Sequence, residues 1–565
     1  MKKYVTKAIS LALCAMLGAS ALAGCYKPDE QEEEINYEKT QLYVNTRYAG
    51  LGDAWLKRYK AEFEKRYAET SFEEGKTGVQ IIIDYTYTGG YESLKDLVHT
   101  RAEVIWNENA KHHQLAVDDI ALDISDIVNA PLTEFGETVS IADKMDESLL
   151  DYYKASDGNV YCIPWFDYYK GVIYDIDIFE GKQSAGHGFY IAKDGGFTNG
   201  LEGSPVKSAG PNNVLGDYDD GLPATHAEFF AMMDEMVKYS IVPFTFPGQY
   251  TYLDSFFIDL WVNEEGDEAA INYTFDGTAT NLIDVAADGT VTKLPATKIT
   301  NENGYMVFKQ EGRYRSYQFL EKFVKNSRYY SVNAFLGSYG HIQSEEGFLY
   351  NVVDGQEKIA MAANGVWWEN EASSIFSAME ELDSAYSKKN RRFGWMPTPF
   401  YSEAAENEGI RLQTIIPEKE TNVFIKKNIA PEKIELAKKF LQFTSTDEMI
   451  IAHAEEISTP RSLKLGDPQK LADSENLTTF GRSVLEFKNN ANAISNLSTN
   501  KFQWWAGLET NELFCESVVN GATYATPIFS FYAEPSLTAI DYFNGLYYGQ
   551  QSNWQTLLNG YKKVQ

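Results

Sequence analysis

Apolar residues recur at two periods along this chain, and the alternation between the periods predicts an α/β protein. Leu42 and Val44 alternate with polar neighbours in Thr40–Thr46, the period of a strand. A glycine-containing loop, Tyr48–Asp53, follows, and then Trp55, Tyr59 and Phe63 recur every four residues, the stripe of an amphipathic helix. Val79–Tyr85 and Ala102–Trp106 predict two more strands. Strand and helix alternating at this spacing predict a doubly wound lobe. Ligands of such lobes sit beyond the carboxyl ends of the strands, which here are the loops Tyr48–Asp53, Tyr87–Tyr91 and Trp106–Asn109.

Further on, Asp157-Gly158 predicts a turn, Val160–Ile163 a short strand stopped by Pro164, and Gly171–Ile176 another strand. Between them stands Trp165-Phe166-Asp167-Tyr168-Tyr169, too aromatic for an ordinary surface linker. Thr225 and Glu228 form a capping box that opens a helix with Phe229, Met232, Met233 and Met236 on its apolar side. Thr, Asn, Asp and Gly over 264–315 predict a β insertion. Residues 357–370 read as a strand running into Trp367-Trp368, and Pro431–Thr444 as a helix with Pro in its first turn.

The N-terminus sets the compartment. Lys2, Lys3 and Lys7 precede Ala8–Ala21, an uncharged apolar run too short for a permanent bilayer span. Leu22-Ala23-Gly24-Cys25 then resembles the lipobox of bacterial lipoproteins. The resemblance implies removal of residues 1–24, lipidation of Cys25, and residence at the extracellular face of the cell membrane. Residues 25–37, with the acidic run Pro28–Glu34, read as a tether.

The whole chain has 565 residues and a net charge of −31. Loss of the leader, with its three Lys and no acid, leaves −34. This balance excludes a nucleic-acid face, which needs clustered Lys and Arg. Aromatic residues make up 14% of the chain. Once Cys14 and Cys25 are accounted for, Cys162 and Cys515 either pair outside the cell or stay as two buried thiols.

At the residues just described the chain resembles the extracellular solute-binding proteins of bacterial ABC importers, in the carbohydrate-binding family that includes maltose-binding protein. Gly158, Tyr161, Ile163 and Pro164, followed by Tyr174–Phe179, match one stretch of the family pattern. Pro223, Thr225, Glu228 and Phe229 match a second, and Ala360, Met361, Gly365 and Trp367 a third. Ala437, Phe440, Leu441, Phe443, Ser445 and Glu448, with Pro460-Arg461, match the last. Asp175 departs from the family's Asn.

The resemblance implies a type II periplasmic-binding-protein-like α/β fold of two discontinuous lobes, with a hinge and an interlobe cleft. The N-lobe would be 38–164 plus 402–462, and the C-lobe 165–401 plus 463–565 with insertions near 180–222 and 264–315. Hinge strands would lie near Trp165–Asp167, Pro397–Tyr401 and Pro460–Leu463. It further implies a monomer that binds an oligosaccharide by hinge closure and delivers it to ABC permease subunits, touching the membrane only through its lipid.

A sugar offers an apolar C–H face to an aromatic ring, and hydroxyls to carboxylates and amides. Segments that mix these at expected loops are Trp106-Asn107-Glu108, Trp165–Tyr169, Trp367-Trp368-Glu369-Asn370, and Trp504-Trp505 near Glu509 and Asn511. Candidate contacts are thus Tyr48, Trp106, Trp165, Asp167, Tyr168, Trp367, Trp368, Glu369, Trp504, Trp505 and Tyr401, the family position pointing most strongly to Trp367 and the 165–168 segment. In a strand only one Trp of an adjacent pair faces the ligand.

Asp217, Asp219 and Asp220 before Gly221 are candidate calcium ligands. Adjacent His112-His113 are expected on a solvated helix face. No HExxH, Walker, GxGxxG or GxSxG motif occurs, and no catalytic residue or cofactor is expected. A surface-anchored glycoside hydrolase, which needs only two suitably spaced carboxylates, and a glycan-adhesion lipoprotein remain alternatives.

Overall fold

The computed structural model describes residues 34–47, 51–86, 99–108, 112–248, 252–404, 409–416, 421–494, 500–506, 508, 517–519, 522–524 and 527–563. Two sheets organise the chain. The first contains β1 (Thr40–Arg47), β2 (Val79–Thr86), β3 (Val104–Glu108), β4 (Ile163–Pro164) and β9 (Thr421–Ile425), in the order β2-β1-β3-β9-β4. The second contains β5 (Lys170–Asp175), β6 (Val242–Thr245), β7 (Ile359–Gly365) and β8 (Phe393–Met396), in the order β8-β5-β7-β6.

β1 runs parallel to β2 and β3, as the alternating pattern predicts. β9, from far along the chain, adds antiparallel to β3, so the sheet is mixed. β3 begins two residues later than its apolar run because Glu103 sits at its edge. The Glu103 N–H donates to the Tyr43 carbonyl at 2.8 Å, and its carboxylate accepts from the Tyr43 N–H at 3.0 Å. The helix Ala54–Arg66 buries Trp55, Leu56, Tyr59 and Phe63. Phe63 meets Phe440 of the helix Pro431–Thr444, ring centroids 4.9 Å apart, and the Tyr59 hydroxyl donates to the Met449 carbonyl.

Around the second sheet pack the helix His226–Lys238, opened by the expected Thr225/Glu228 capping box, and the helices Glu311–Val324 and Ala539–Tyr561. The insertion 264–315 holds two two-stranded ladders, Gly277–Ala279 with Thr297–Ile299 and Ile283–Val285 with Val291–Lys293, between short helical turns. The segment 180–222 forms one hairpin, Tyr190–Ile191 with Phe197–Thr198.

The chain passes between the sheets at Trp165–Tyr169, between β8 and β9, and at Ser458–Thr478. The first and third passages pair side by side: Phe166 bridges Arg461, and the Ser462 N–H donates to the Trp165 carbonyl at 3.1 Å. Arg461, fully buried, donates to the carbonyls of Trp165 and Thr444 and to the Tyr59 hydroxyl. Pro397–Tyr401 begins the passage between β8 and β9. Its Phe400 pairs with Thr225, and the His226 N–H donates to the Phe400 carbonyl, so the segment closes the start of helix His226–Lys238. Gln413–Ile415 then pairs with Ala491–Ala493, away from the first sheet.

His112 is not solvated. Its ring is buried between Tyr152 and Tyr153, at 4.2 and 5.2 Å. Cys162 is buried with Leu149, Tyr153 and Phe424, whereas Cys515, Cys25 and the leader lie outside the described residues. Among the described residues no helix is long and apolar enough to cross a membrane.

Candidate functional site

Strand direction determines which ends of the two sheets face each other. β1, β2 and β3 run parallel and end at Arg47, Thr86 and Glu108. β9 starts at that end, Thr421 opposite Glu108, and the Trp165 N–H donates to the Thr421 carbonyl as the chain leaves. In the second sheet the chain enters at Lys170, opposite Gly365 at the end of β7. The carboxyl ends of β1–β3 and of β7 therefore meet across the passages, the position that the strand-end rule assigns to a ligand.

The first wall is polar over an aromatic floor. Arg47 and Glu108 form an ion pair at 2.5 Å, and Asp53 accepts from the Tyr85 hydroxyl at 2.6 Å and pairs with Lys57 at 2.9 Å. Asn45 and Asn107 are buried beside them. Trp106 and Trp165, expected as ligand platforms, belong to the floor instead. Trp55 stands 5.6 Å from Trp106 and 5.1 Å from Trp165, and all three are almost wholly buried. Their large apolar rings are worth more inside the lobe, at ~25 cal/mol per Å² removed from water, than at an open face.

The second wall carries the family-position tryptophan. Trp367 stacks on Tyr168, ring centroids 4.1 Å apart and planes at 24°. Gly365 permits this, because a Cβ there would meet the Trp367 ring at 2.3 Å. The adjacent pair sits in the start of a helical turn, Trp368–Glu371, rather than a strand. Trp368 turns away into a cluster of Phe348, Phe376, Phe393 and Phe480.

Glu369 is fully buried and accepts from the hydroxyls of Ser458 at 2.5 Å and Thr478 at 2.7 Å, the two ends of the third passage. Burial pushes its pKa up, while Lys388 and the two hydroxyls oppose the rise. Asp167 is likewise occupied, in a buried ion pair with Lys488 at 2.7 Å. Both acids brace the passages.

Four polar residues near Trp367 carry no signal in the sequence. Asn364 donates to Glu345 at 2.7 Å, and Glu345, on the helix His341–Leu349, lies against Glu371. Burial first and the Glu371 charge second raise Glu345 well above the usual carboxylate range. His341 approaches Glu371 at 3.6 Å. Glu345 is far from Trp367 in the chain, and only the packing of its helix brings it there.

The other candidates scatter. Tyr401 is on the surface of the second lobe under the Arg315 guanidinium, 4.0 Å from its ring. Trp505 is exposed beside Tyr561, at 5.9 Å. Tyr48, Glu509, Asn511 and the Trp504 side chain lie outside the described residues. In the Asp217–Asp220 cluster the carboxylates accept from Asn212 and Gly216, and burial, followed by the bond to Asp217, lifts Asp219 to about 8. Among the described residues no three His, Cys, Asp or Glu side chains are arranged to hold a metal ion.

No protein-family model matches the chain, and no curated protein matches it significantly. Solved structures do match. RafE from Streptococcus pneumoniae, a solute-binding protein also solved with raffinose, aligns over 91% of this chain and 98% of its own, with 12% identity and a TM-score of 0.50. The bacterial solute receptor AcbH, reported to prefer β-D-galactopyranose exclusively, aligns over the same shares with 11% identity and a TM-score of 0.50. The chain shares its two-lobe α/β fold with these two proteins.

Proposed function

We propose that this protein is the substrate-capturing subunit of an ABC importer and binds a carbohydrate between its lobes. One observation carries the reading: the stacked Tyr168–Trp367 pair, on the second wall beside Asn364, Glu345 and Glu371, opposite the Arg47–Glu108 wall. A sugar's C–H face packs on the aromatic pair, and its hydroxyls exchange hydrogen bonds with the amides and carboxylates. The solute-binding fold shared with RafE and AcbH supports this reading.

Ligand touching both walls favours the closed arrangement by its differential contacts. The passages Trp165–Tyr169 and Ser458–Thr478 take up the motion, since they alone pair with each other between the sheets among the described residues. The closed form then docks on a membrane permease driven by a separate ATPase. Lipid on Cys25 holds the monomer at the extracellular membrane face. Cys25→Ala is expected to move the protein from the membrane to the soluble fraction.

A thermal-shift panel of mono- and oligosaccharides tests the binding. Stabilisation by at least one glycan, recovered unchanged on product analysis, is expected. Stabilisation only by peptides or polyamines would refute the carbohydrate reading, and turnover of the glycan would make the protein a hydrolase.

A further inference from the structure

Trp367 is one of two aromatic pairs built in the same way on the second sheet. β7 and β6 are parallel neighbours with Ile359 opposite Val242 and Ala362 opposite Thr245. Gly365 ends β7, and Gly248 lies three residues beyond Thr245, the last residue of β6, so both glycines lie toward the same end of the sheet. Each glycine supports a ring. A Cβ on Gly365 would strike Trp367, and one on Gly248 would meet Phe335 at 2.7 Å. Each ring carries a tyrosine, Tyr168 on Trp367 and Tyr532 on Phe335, the latter with centroids 3.8 Å apart and planes at 5°.

The two pairs differ in exposure. Tyr168–Trp367 sits beside the passages and is largely covered. β6 is the edge strand of the sheet, so Phe335–Tyr532 lies at the outer end of the same row. Tyr532, on the helix Pro527–Ala533, is 47% exposed, and its neighbour Phe529 is 37% exposed. Ser338 is exposed and Asn333 half-buried on the loop that carries Phe335. Aromatic rings beside amide and hydroxyl groups, at the same end of the sheet as the inner site, match the chemistry of a further sugar unit.

We infer that Phe335–Tyr532 is an outer subsite of the carbohydrate site, and that the ligand is an oligosaccharide long enough to run from Trp367 to Tyr532. This rests on the carbohydrate reading of the inner pair. A sugar chain leaving the Trp367 pair would follow the sheet edge outward and place a C–H face on the open side of Tyr532, while units between the pairs meet the strand ends.

Calorimetric titration with α-gluco-, β-manno- and β-chito-oligosaccharides of two to six units tests it on the full exported chain. Affinity is expected to rise with length in at least one series. Tyr532→Ala should remove about tenfold, or ~1.4 kcal/mol, from the longest ligands and leave the disaccharide unchanged. Tyr532→Phe, which keeps the ring, should restore the gain, and unchanged melting of both variants would show that the fold is intact.

If a disaccharide binds as tightly as the hexasaccharide, or if Tyr532→Ala weakens all lengths equally, the outer subsite is refuted and the inner site stands. If no glycan in any series binds, both readings fall.

Discussion

Replacing Glu369 separates a ligand contact from a hinge brace. The carboxylate accepts two hydroxyl hydrogen bonds, from Ser458 at 2.5 Å and Thr478 at 2.7 Å, and no part of the residue reaches solvent. Ser458 is held at a φ of +59°, a strained value for serine that its surroundings must maintain. Bonds to a charged acceptor contribute about 1.5–3 kcal/mol each, offset by the cost of burying the acid.

Glu369→Ala is therefore expected to lower stability by about 3 kcal/mol and Glu369→Gln, which keeps an acceptor oxygen, by about 1 kcal/mol. At ~2.1 cal/mol/K per residue, a chain of 565 residues unfolding in one step has an unfolding entropy of about 1.2 kcal/mol/K. The Ala variant should then melt about 2–3 °C lower, with the Gln variant between it and wild type. Scanning calorimetry without ligand measures this, and titration with whichever glycan stabilises the wild type measures binding. If both variants melt like wild type but lose ligand affinity, Glu369 is a sugar contact and the brace is refuted.

Gly365→Ala should weaken glycan binding by about tenfold without a large loss of stability, because the new methyl displaces Trp367 from Tyr168; calorimetric titration checks it, and unchanged affinity would remove Trp367 from the site. Lys488→Met should cost about 3–5 kcal/mol by leaving Asp167 buried without its partner, and adding Asp167→Asn should recover much of that; equal losses in single and double variants, read by urea unfolding, would contradict this. His226 and His453 are both pushed down to about 3 by burial, the first also by Arg315 and the second by Arg461. Each folded imidazole stays neutral while the unfolded one gains a proton below about 6.5. Their contribution is complete above that pH and is lost as pH falls toward 3, about 2 kcal/mol each by pH 5. His453→Gln should flatten this part of the pH dependence of unfolding, and an unaltered slope would show that His453 does not carry it.

Local pattern settled much of this protein before any tertiary contact. Trp55, Tyr59 and Phe63 mark one helix face, Thr225 and Glu228 one helix start, and Leu42 with Val44 one strand, because periodicity and capping act over a few residues. The order of short motifs likewise pointed to a two-lobe binding fold and to Trp367. What it left open was which aromatic residue faces a ligand, since Trp106, Trp165 and Trp368 stand in the same kind of aromatic-acidic context as Trp367. Packing narrows it: all four are buried, Trp106, Trp165 and Trp368 almost wholly, while Trp367, seated by Gly365, stacks on Tyr168 beside the passages. Carboxylates sorted the same way, Asp167 and Glu369 to the passages and Glu345, without any local signal, to the side of Trp367. A side chain's surroundings depend on elements hundreds of residues apart in the chain, and so only the tertiary structure assigns them.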